Sequence, residues 1–324
     1  MEEKKPLPVI AIAGPTAVGK TAVSIELAKR VGGEVISVDS RQVYRYLDVG
    51  ADKISPSIRR EVLHHMIDVV DPDQVYSAAD FVLGCRDAVE RIRARGRVPI
   101  FAGGTPFYYD ALFGSGLSKN LPRDGDVRRE LEDFARREGK EALHDLLRRD
   151  DPETAGRLHV NDVRRVVRAL EIRRLTGRSA SSWYALDEKI LPAGLYDVLY
   201  IGLTRPRPLL YEAIERRVQE QFASGFPEEV EWLLAQGFDE RFPSMQGFGY
   251  RELVQYFRGE MTLEEAAQGD IRSTKAFSRR QMTWFSKFSP ILWYDTTACI
   301  IPDLAAEIEK EVRTHLEKEV CTGN

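Results

Sequence analysis

Thirteen residues near the start of the chain, Val9-Ile-Ala-Ile-Ala-Gly-Pro-Thr-Ala-Val-Gly-Lys-Thr21, restrict the fold more than any other stretch. Val9 to Ala13 form an unbroken apolar run, the pattern of a strand buried on both faces of a parallel sheet. Gly14 to Thr21 then satisfy G-x-x-x-x-G-K-[ST] at every position, a loop that joins a strand to a helix around phosphate oxygens. Gly14 and Gly19 allow backbone angles that turn the N–H groups of the loop inward as an anion nest, with Pro15, Thr16, Ala17 and Val18 between them. Lys20 adds a point charge for the terminal phosphate, and the Thr21 hydroxyl can bind Mg²⁺. The helix expected over residues 20–31 points the positive end of its dipole at the same place. The motif predicts a di- or triphosphate ligand, and taken alone it suggests ATP.

The segments after the loop build an α/β sheet around it. Residues 34–38 read as a second buried strand ending at Asp39, and ligands in open α/β sheets sit at the carboxyl ends of strands. Asp39 is therefore expected in the phosphate cleft, as a binding or catalytic carboxylate or as a cap. Residues 64–72 read as a short strand with an acidic end. His64 and His65 point to opposite sides of it, a poor arrangement for one metal ion. Ser77 with Asp80 signals a helix start, and residues 98–102 form another buried strand closed by Gly103-Gly104-Thr105-Pro106. From residue 119 the strand signals stop until about residue 196. Residues 157–178 carry seven arginines against Asp162 and Glu171, a net of +5, which reads equally as a solvated face or as a phosphate-backbone contact. Residues 197–203 return to a buried strand. The expected architecture is a P-loop nucleoside-triphosphate-hydrolase-like parallel sheet with flanking helices, discontinuous over 1–118 and 192–324, with an all-helical domain inserted at 119–191. Further on, a helix pair is expected over 209–235, a glycine-aromatic loop over 244–252, a basic helix over 271–288 striped by Arg272, Lys275 and Arg279, a last strand over 290–294 and a polar helix over 304–319.

Composition narrows the function classes. The 324 residues have a formal net charge of −4, so any nucleic-acid surface must be a local basic one. Cys85, Cys299 and Cys321 lie far apart without zinc spacing and read as free thiols. No apolar run approaches membrane-spanning length, and the N-terminal apolar stretch is too short for a signal peptide, so the expected location is the cytoplasm.

Eight blocks in order resemble the tRNA dimethylallyltransferase family: residues 14–21, Val-Ile-Ser-Val-Asp-Ser-Arg-Gln-Val-Tyr (35–44), His-His-Met-Ile-Asp (64–68), Tyr-Ser-Ala-Ala-Asp-Phe (76–81), Gly-Gly-Thr-Pro-Phe-Tyr (103–108), Asn-Asp-Val-Arg-Arg-Val-Val-Arg-Ala-Leu-Glu (161–171), Gly-Phe-Gly-Tyr-Arg-Glu (247–252) and Arg-Arg-Gln-Met-Thr-Trp (279–284). The resemblance implies transfer of a dimethylallyl group from dimethylallyl diphosphate to N6 of the adenosine 3′ of the anticodon in tRNA. It assigns the P-loop to the diphosphate, with Mg²⁺ on Thr21, and makes Asp39 the proton acceptor. Thr105 and Arg128 match positions near the reacting ends. Three stretches match those that touch the tRNA anticodon stem-loop: Asp39, Ser40, Arg41 and Gln42; Arg164, Arg165, Val166, Val167 and Arg168; and Gln246, Gly247, Phe248, Gly249, Tyr250 and Arg251. Arg41 and Gln42 depart from some members. The cysteines of the zinc finger carried by eukaryotic members are absent, so the likeness is to the bacterial or organellar type, expected to act as a monomer. The rival readings are adenylate dimethylallyltransferase, a P-loop small-molecule kinase, and a GTP-binding switch. The last lacks any Asn-Lys-x-Asp motif.

Overall fold

The structure is a computed structural model that describes residues 5–114, 116–117, 122–186, 189–192 and 194–321. The expected boundary at residue 119 and the Cys321 side chain lie outside the described residues. The chain divides into two units, Met1–Ser115 with Gly194–Asn324, and Gly116–Ala193.

The first unit holds a sheet of β1 (Leu7–Ala13), β2 (Gly33–Val38), β3 (His64–His65), β4 (Val98–Gly103), β5 (Tyr196–Thr204) and β6 (Ile291–Asp295). The strand order is β3-β2-β4-β1-β5-β6, with every pairing parallel. Its helices are α1 (Lys20–Val31), α2 (Pro56–Glu61), α3 (Ala78–Ala94) and α4 (Pro106–Phe113), and, after the second unit's five, α10 (Arg207–Ala223), α11 (Phe226–Ala235), α12 (Tyr250–Phe257), α13 (Leu263–Phe285) and α14 (Ile301–Cys321). Val9 to Ala13 are wholly buried, as the central strand of such a sheet must be. Side chains alternate across it. Ile10, Ile12, Ile100, Ile201 and Leu203 share one core with Leu27 of α1 and Ile308 and Val312 of α14. Phe101, one residue out of phase with Ile100, meets the rings of Phe113 and Tyr196 at 5.0 and 6.5 Å. Ala13 pairs with Gly202, Ile12 with Ala102, and Val38 with Gly103, so β1, β2, β4 and β5 end at one level. The chain leaves β1 toward β2 on one side and later reaches β5 on the other, which opens a crevice beyond the end of β1.

Helix α3 begins as its sequence predicts. Ser77 Oγ accepts from the Asp80 N–H at 3.2 Å, and Asp80 Oδ2 accepts from the Ser77 N–H at 2.8 Å. Four expectations need correction. The strand near residue 64 is only two residues long, and His65 Nε2 lies 2.7 Å from Glu34 Oε2 while His64 Nδ1 lies 2.7 Å from the Val62 carbonyl. Residues 244–252 are not one loop: Pro243–Gln246 is a 3₁₀ turn and α12 starts at Tyr250, capped by Glu252, whose Oε2 accepts from the Gly249 N–H. Helix α13 starts at Leu263, because a capping box of Thr262 and Glu265 lies outside the basic run that marked its body. Helix α14 is not simply polar. Leu304, Ala305, Ile308 and Val312 form a narrow buried stripe that a count of its charges conceals.

The second unit is all-helical: α5 (Gly125–Glu138), α6 (Lys140–Asp150), α7 (Pro152–Arg157), α8 (Val163–Thr176) and α9 (Ala180–Leu186). Leu131, Leu143, Leu147, Val166, Val167, Leu170 and Ile172 form its core. Glu171, 1% exposed, takes a bond from Arg168 at 2.6 Å, one from Arg128 at 2.8 Å and one from the Asp124 N–H at 3.0 Å. Burial works to raise its pKa, and these donors outweigh burial and hold it low.

Candidate active site

At the end of β1 the chain turns through Gly14, whose φ is 152°. A Cβ there would lie 2.5 Å from the Leu203 carbonyl of β5, so neighbouring strands close the position to any side chain. Gly19 has φ 100° and ψ 13° and delivers the chain into α1. Thr16, Ala17, Gly19, Lys20 and Thr21 line a cleft of about 620 Å³ at the strand ends. Two of the expected cradle residues play a different part. Pro15 has no N–H to offer, and its carbonyl accepts from Lys20 Nζ at 2.7 Å. The Val18 side chain is fully buried in the core, and its carbonyl accepts from Thr296 Oγ1 at 3.0 Å.

Asp39 follows β2 directly and lines the same cleft. Its Oδ1 accepts from the N–H groups of Arg41 at 2.8 Å and Gln42 at 3.4 Å, a turn that fixes the carboxylate. Thr105, at the end of β4, accepts at Oγ1 from the Ser40 N–H at 3.2 Å. The strand ends of β1, β2 and β4 thus bring Lys20, Asp39 and Thr105 into one cleft. Burial dominates their electrostatics. The Lys20 pKa is brought down to about 7, first by burial and then by the charge of Arg217, against the pull of Asp39 and Asp52. Asp39 is raised by burial despite the two N–H donors and the charges of Lys20 and Arg41. Each group favours its neutral form more than it would in water.

The remaining expected contacts divide by burial. The Arg41 guanidinium donates from Nη1 to the carbonyls of Pro243 at 2.6 Å and Ser244 at 3.1 Å, and a Cβ on Gly247 would lie 2.9 Å from its Nε. Gln42 Oε1 accepts from Ser37 Oγ, and its Nε2 donates to the Ala51 carbonyl. These two side chains brace the protein, so of residues 39–42 it is the Asp39 and Ser40 side chains that remain for a ligand. Tyr250 is 1% exposed and donates its hydroxyl proton to Glu229 Oε1 at 2.7 Å. Phe248 lines the cleft between Phe277, 5.4 Å away, and the Arg251 guanidinium, 5.3 Å from its ring. Gly247 and Gly249 are buried, and Gln246 is exposed. In the helical unit Val166 and Val167 are core residues, because they sit on the inner face of α8. Arg164 and Arg165 are exposed on its other side. Arg128 and Arg168 are held by Glu171. The expected basic stripe is partly internal: Lys275 pairs with Glu215, and Arg279 donates to the Tyr211 hydroxyl.

Several cleft residues carry no sequence signal. Arg205 follows β5, and Arg216 and Arg217 project from α10. The Nε groups of Arg205 and Arg217 are buried with no hydrogen-bond acceptor among the described residues. Asp270, 4% exposed, also lines the cleft, and burial lifts its pKa to about 6, with Thr274 Oγ1 donating to it at 2.9 Å. Among the described residues no group of three or more His, Cys, Asp or Glu side chains could hold a metal ion. A magnesium ion that keeps waters and phosphate oxygens as most of its ligands needs no such cage, and the Thr21 hydroxyl, which lines the cleft, fits that mode.

A family model described as IPP transferase matches residues 42–288, and one described as Isopentenyl transferase matches residues 7–63. A tRNA dimethylallyltransferase of Thermomicrobium roseum is 44% identical over 324 residues, covering 100% of this chain and 95% of the relative. One from Dictyoglomus turgidum is 40% identical, over 92% of this chain and 90% of its own. Among solved structures, the full-length tRNA isopentenylpyrophosphate transferase of Bacillus halodurans matches with a TM-score of 0.72 and 39% identity, covering 98% of this chain and 99% of that one. A eukaryotic dimethylallyltransferase described as acting on tRNA matches with a TM-score of 0.73 and 29% identity, over 90% of this chain and 74% of that one.

Proposed function

The chain belongs to the IPP transferase family, and from that premise we propose that it transfers the dimethylallyl group of dimethylallyl diphosphate to N6 of an adenosine beside the anticodon of tRNA, releasing diphosphate. The observation that carries the reading is the shared cleft. A phosphate-binding loop after β1 and a carboxylate after β2, with β4 between those strands, face one space, a diphosphate site beside a proton acceptor.

The donor's C1–O bond breaks and its electron pair leaves with the diphosphate. The backbone N–H groups of the P-loop, Lys20 and the guanidinium charges of Arg205 and Arg217, which line the cleft, stabilise that charge as it develops. The adenine N6 lone pair forms the new C–N bond, and one N6 proton passes to Asp39. Oδ1 of Asp39 is already held by two N–H groups, so Oδ2 is the oxygen that accepts it. The raised pKa of Asp39 makes the carboxylate a better base for this poor nucleophile. Thr105, fixed against the Ser40 N–H, stands beside the reacting ends. The Thr21 hydroxyl would hold Mg²⁺, which would supply further neutralisation of the diphosphate charge. The base reaches the cleft by leaving its stack, and Phe248 and Phe277 offer rings against which it packs. Arg164 and Arg165, exposed on α8, contact the tRNA backbone, and Arg128 and Arg168 support that surface through Glu171.

The test incubates the purified protein and radiolabelled dimethylallyl diphosphate with unmodified tRNA, with AMP and with ATP. Label in tRNA alone is expected. Label in AMP or ATP without tRNA refutes the tRNA reading, and phosphoryl transfer from ATP in place of dimethylallyl transfer refutes the chemistry.

A further inference from the structure

Strands β1 and β4 are paired as far as Ile12 and Ala102. Beyond that register their exits separate, one into the P-loop and the other into Gly103-Gly104-Thr105, and the ladder between them ends. The gap is bridged from another part of the chain. Gln281 of α13, 1% exposed, accepts at Oε1 from the Thr16 N–H at 2.9 Å and donates from Nε2 to the Gly104 carbonyl at 2.5 Å. A side-chain amide carries the same donor and acceptor as a peptide unit, and here it takes the place of the missing rung.

The bond series then continues. Next to Gly104, the Thr105 N–H donates to the Val38 carbonyl at 3.2 Å, and Thr105 Oγ1 accepts from Ser40, the residue after Asp39. The loop that cradles the leaving group is thereby tied through one buried amide to the strand ends that carry Thr105 and Asp39. Gln281 also lines the cleft, and a Cβ on Gly104 would lie 2.5 Å from its Nε2.

We propose that Gln281 is a positioning residue that fixes the spacing between the departing diphosphate and the acceptor amine, an inference that rests on the transferase reading above. Both substrates bind mainly to groups other than Gln281. Losing its two bonds therefore leaves each half-site intact and lets the P-loop drift relative to the proton acceptor. A misplacement of about 1 Å between reacting groups costs on the order of a hundredfold in rate.

The experiment compares wild type, Gln281→Met, which keeps the length and removes both bonds, and Gly104→Ala, whose methyl displaces the amide while Gln281 is kept. Single-turnover transfer to tRNA at saturating substrates should fall about a hundredfold in both variants, with diphosphate and tRNA dissociation constants within about threefold of wild type. In Gln281→Ala the smaller side chain leaves room for the methyl, so adding Gly104→Ala to it should cost almost nothing more, a non-additive cycle that general destabilisation does not produce. An unchanged single-turnover rate in Gln281→Met overturns the inference, as does a rate loss matched by an equal loss of diphosphate affinity. Failure of the transferase reading is distinct: wild type itself would then transfer no label, and the inference would fall with it.

Discussion

Lys20 gives the most direct reading of the phosphate site, because its charge depends on whether an anion is beside it. In the structure its ammonium is buried next to Arg217, and its pKa is about 7 instead of 10.5. A diphosphate placed against Lys20 favours the ammonium and returns the pKa toward its ordinary value, so binding must draw a proton from solution. With a starting pKa of about 7, roughly one molecule in ten carries that proton at pH 8 and roughly nine in ten at pH 6. Uptake by Lys20 on binding is therefore about 0.9 proton at pH 8 and about 0.1 at pH 6. Where the ammonium form alone binds, diphosphate affinity is full below pH 7 and falls as pH rises, by about tenfold from pH 6 to pH 8. The assay is titration calorimetry with inorganic diphosphate at pH 8 in buffers of different ionisation enthalpy, for wild type and Lys20→Arg. The guanidinium is charged throughout, so the variant reports the ligand's own protonation alone. Wild type should take up close to one proton more than Lys20→Arg. Equal uptake by the two proteins would refute the argument and place Lys20 away from the bound diphosphate.

Asp39→Asn keeps the size of the side chain and an acceptor for the Arg41 and Gln42 N–H groups, but it removes the base. Single-turnover transfer should drop by roughly a hundredfold or more with tRNA affinity retained, and normal transfer would take Asp39 out of the mechanism. Replacing Arg164 and Arg165 with alanine should weaken tRNA binding and flatten its dependence on salt, by up to about 1.4 in the logarithmic slope if each neutralises one phosphate of a single strand. An unaltered slope returns both to a solvated helix face. The Asp270 pKa is raised, so the folded state prefers the neutral acid, and the cost of its charge is present above pH 6 and vanishes below the ordinary value of 3.8. Asp270→Asn should stabilise the protein by up to about 3 kcal/mol at pH 8 and by only about 0.6 kcal/mol near pH 4. A stability gain of equal size at both pH values in denaturant unfolding would contradict that cause.

The parts of the molecule that were legible in the sequence are those with local causes. A run of five apolar residues that leads straight into a phosphate-loop motif reads as a strand covered on both faces, and two glycines with a lysine at fixed spacing mark that loop. Helix α3 announced itself through Ser77 and Asp80, three residues apart. Asp39 and Thr105 could be placed at strand ends because a parallel sheet sends every carboxyl end to one side. The misread segments had causes outside the window. The buried stripe of α14 is set by the sheet it covers, and the start of α13 by a box of uncharged and acidic residues before the basic run.

By itself the sequence determined the parallel sheet, the phosphate loop and the strand ends that surround it, since backbone propensity and hydrophobic period act over a few residues. Only the tertiary structure decided which polar side chains face the cleft and which hold it together. Arg41 meets Pro243 across 202 residues, and Gln281 meets Thr16 across 265. A hydrogen bond is specified by direction and a distance near 3 Å, and no local pattern records a partner that far along the chain.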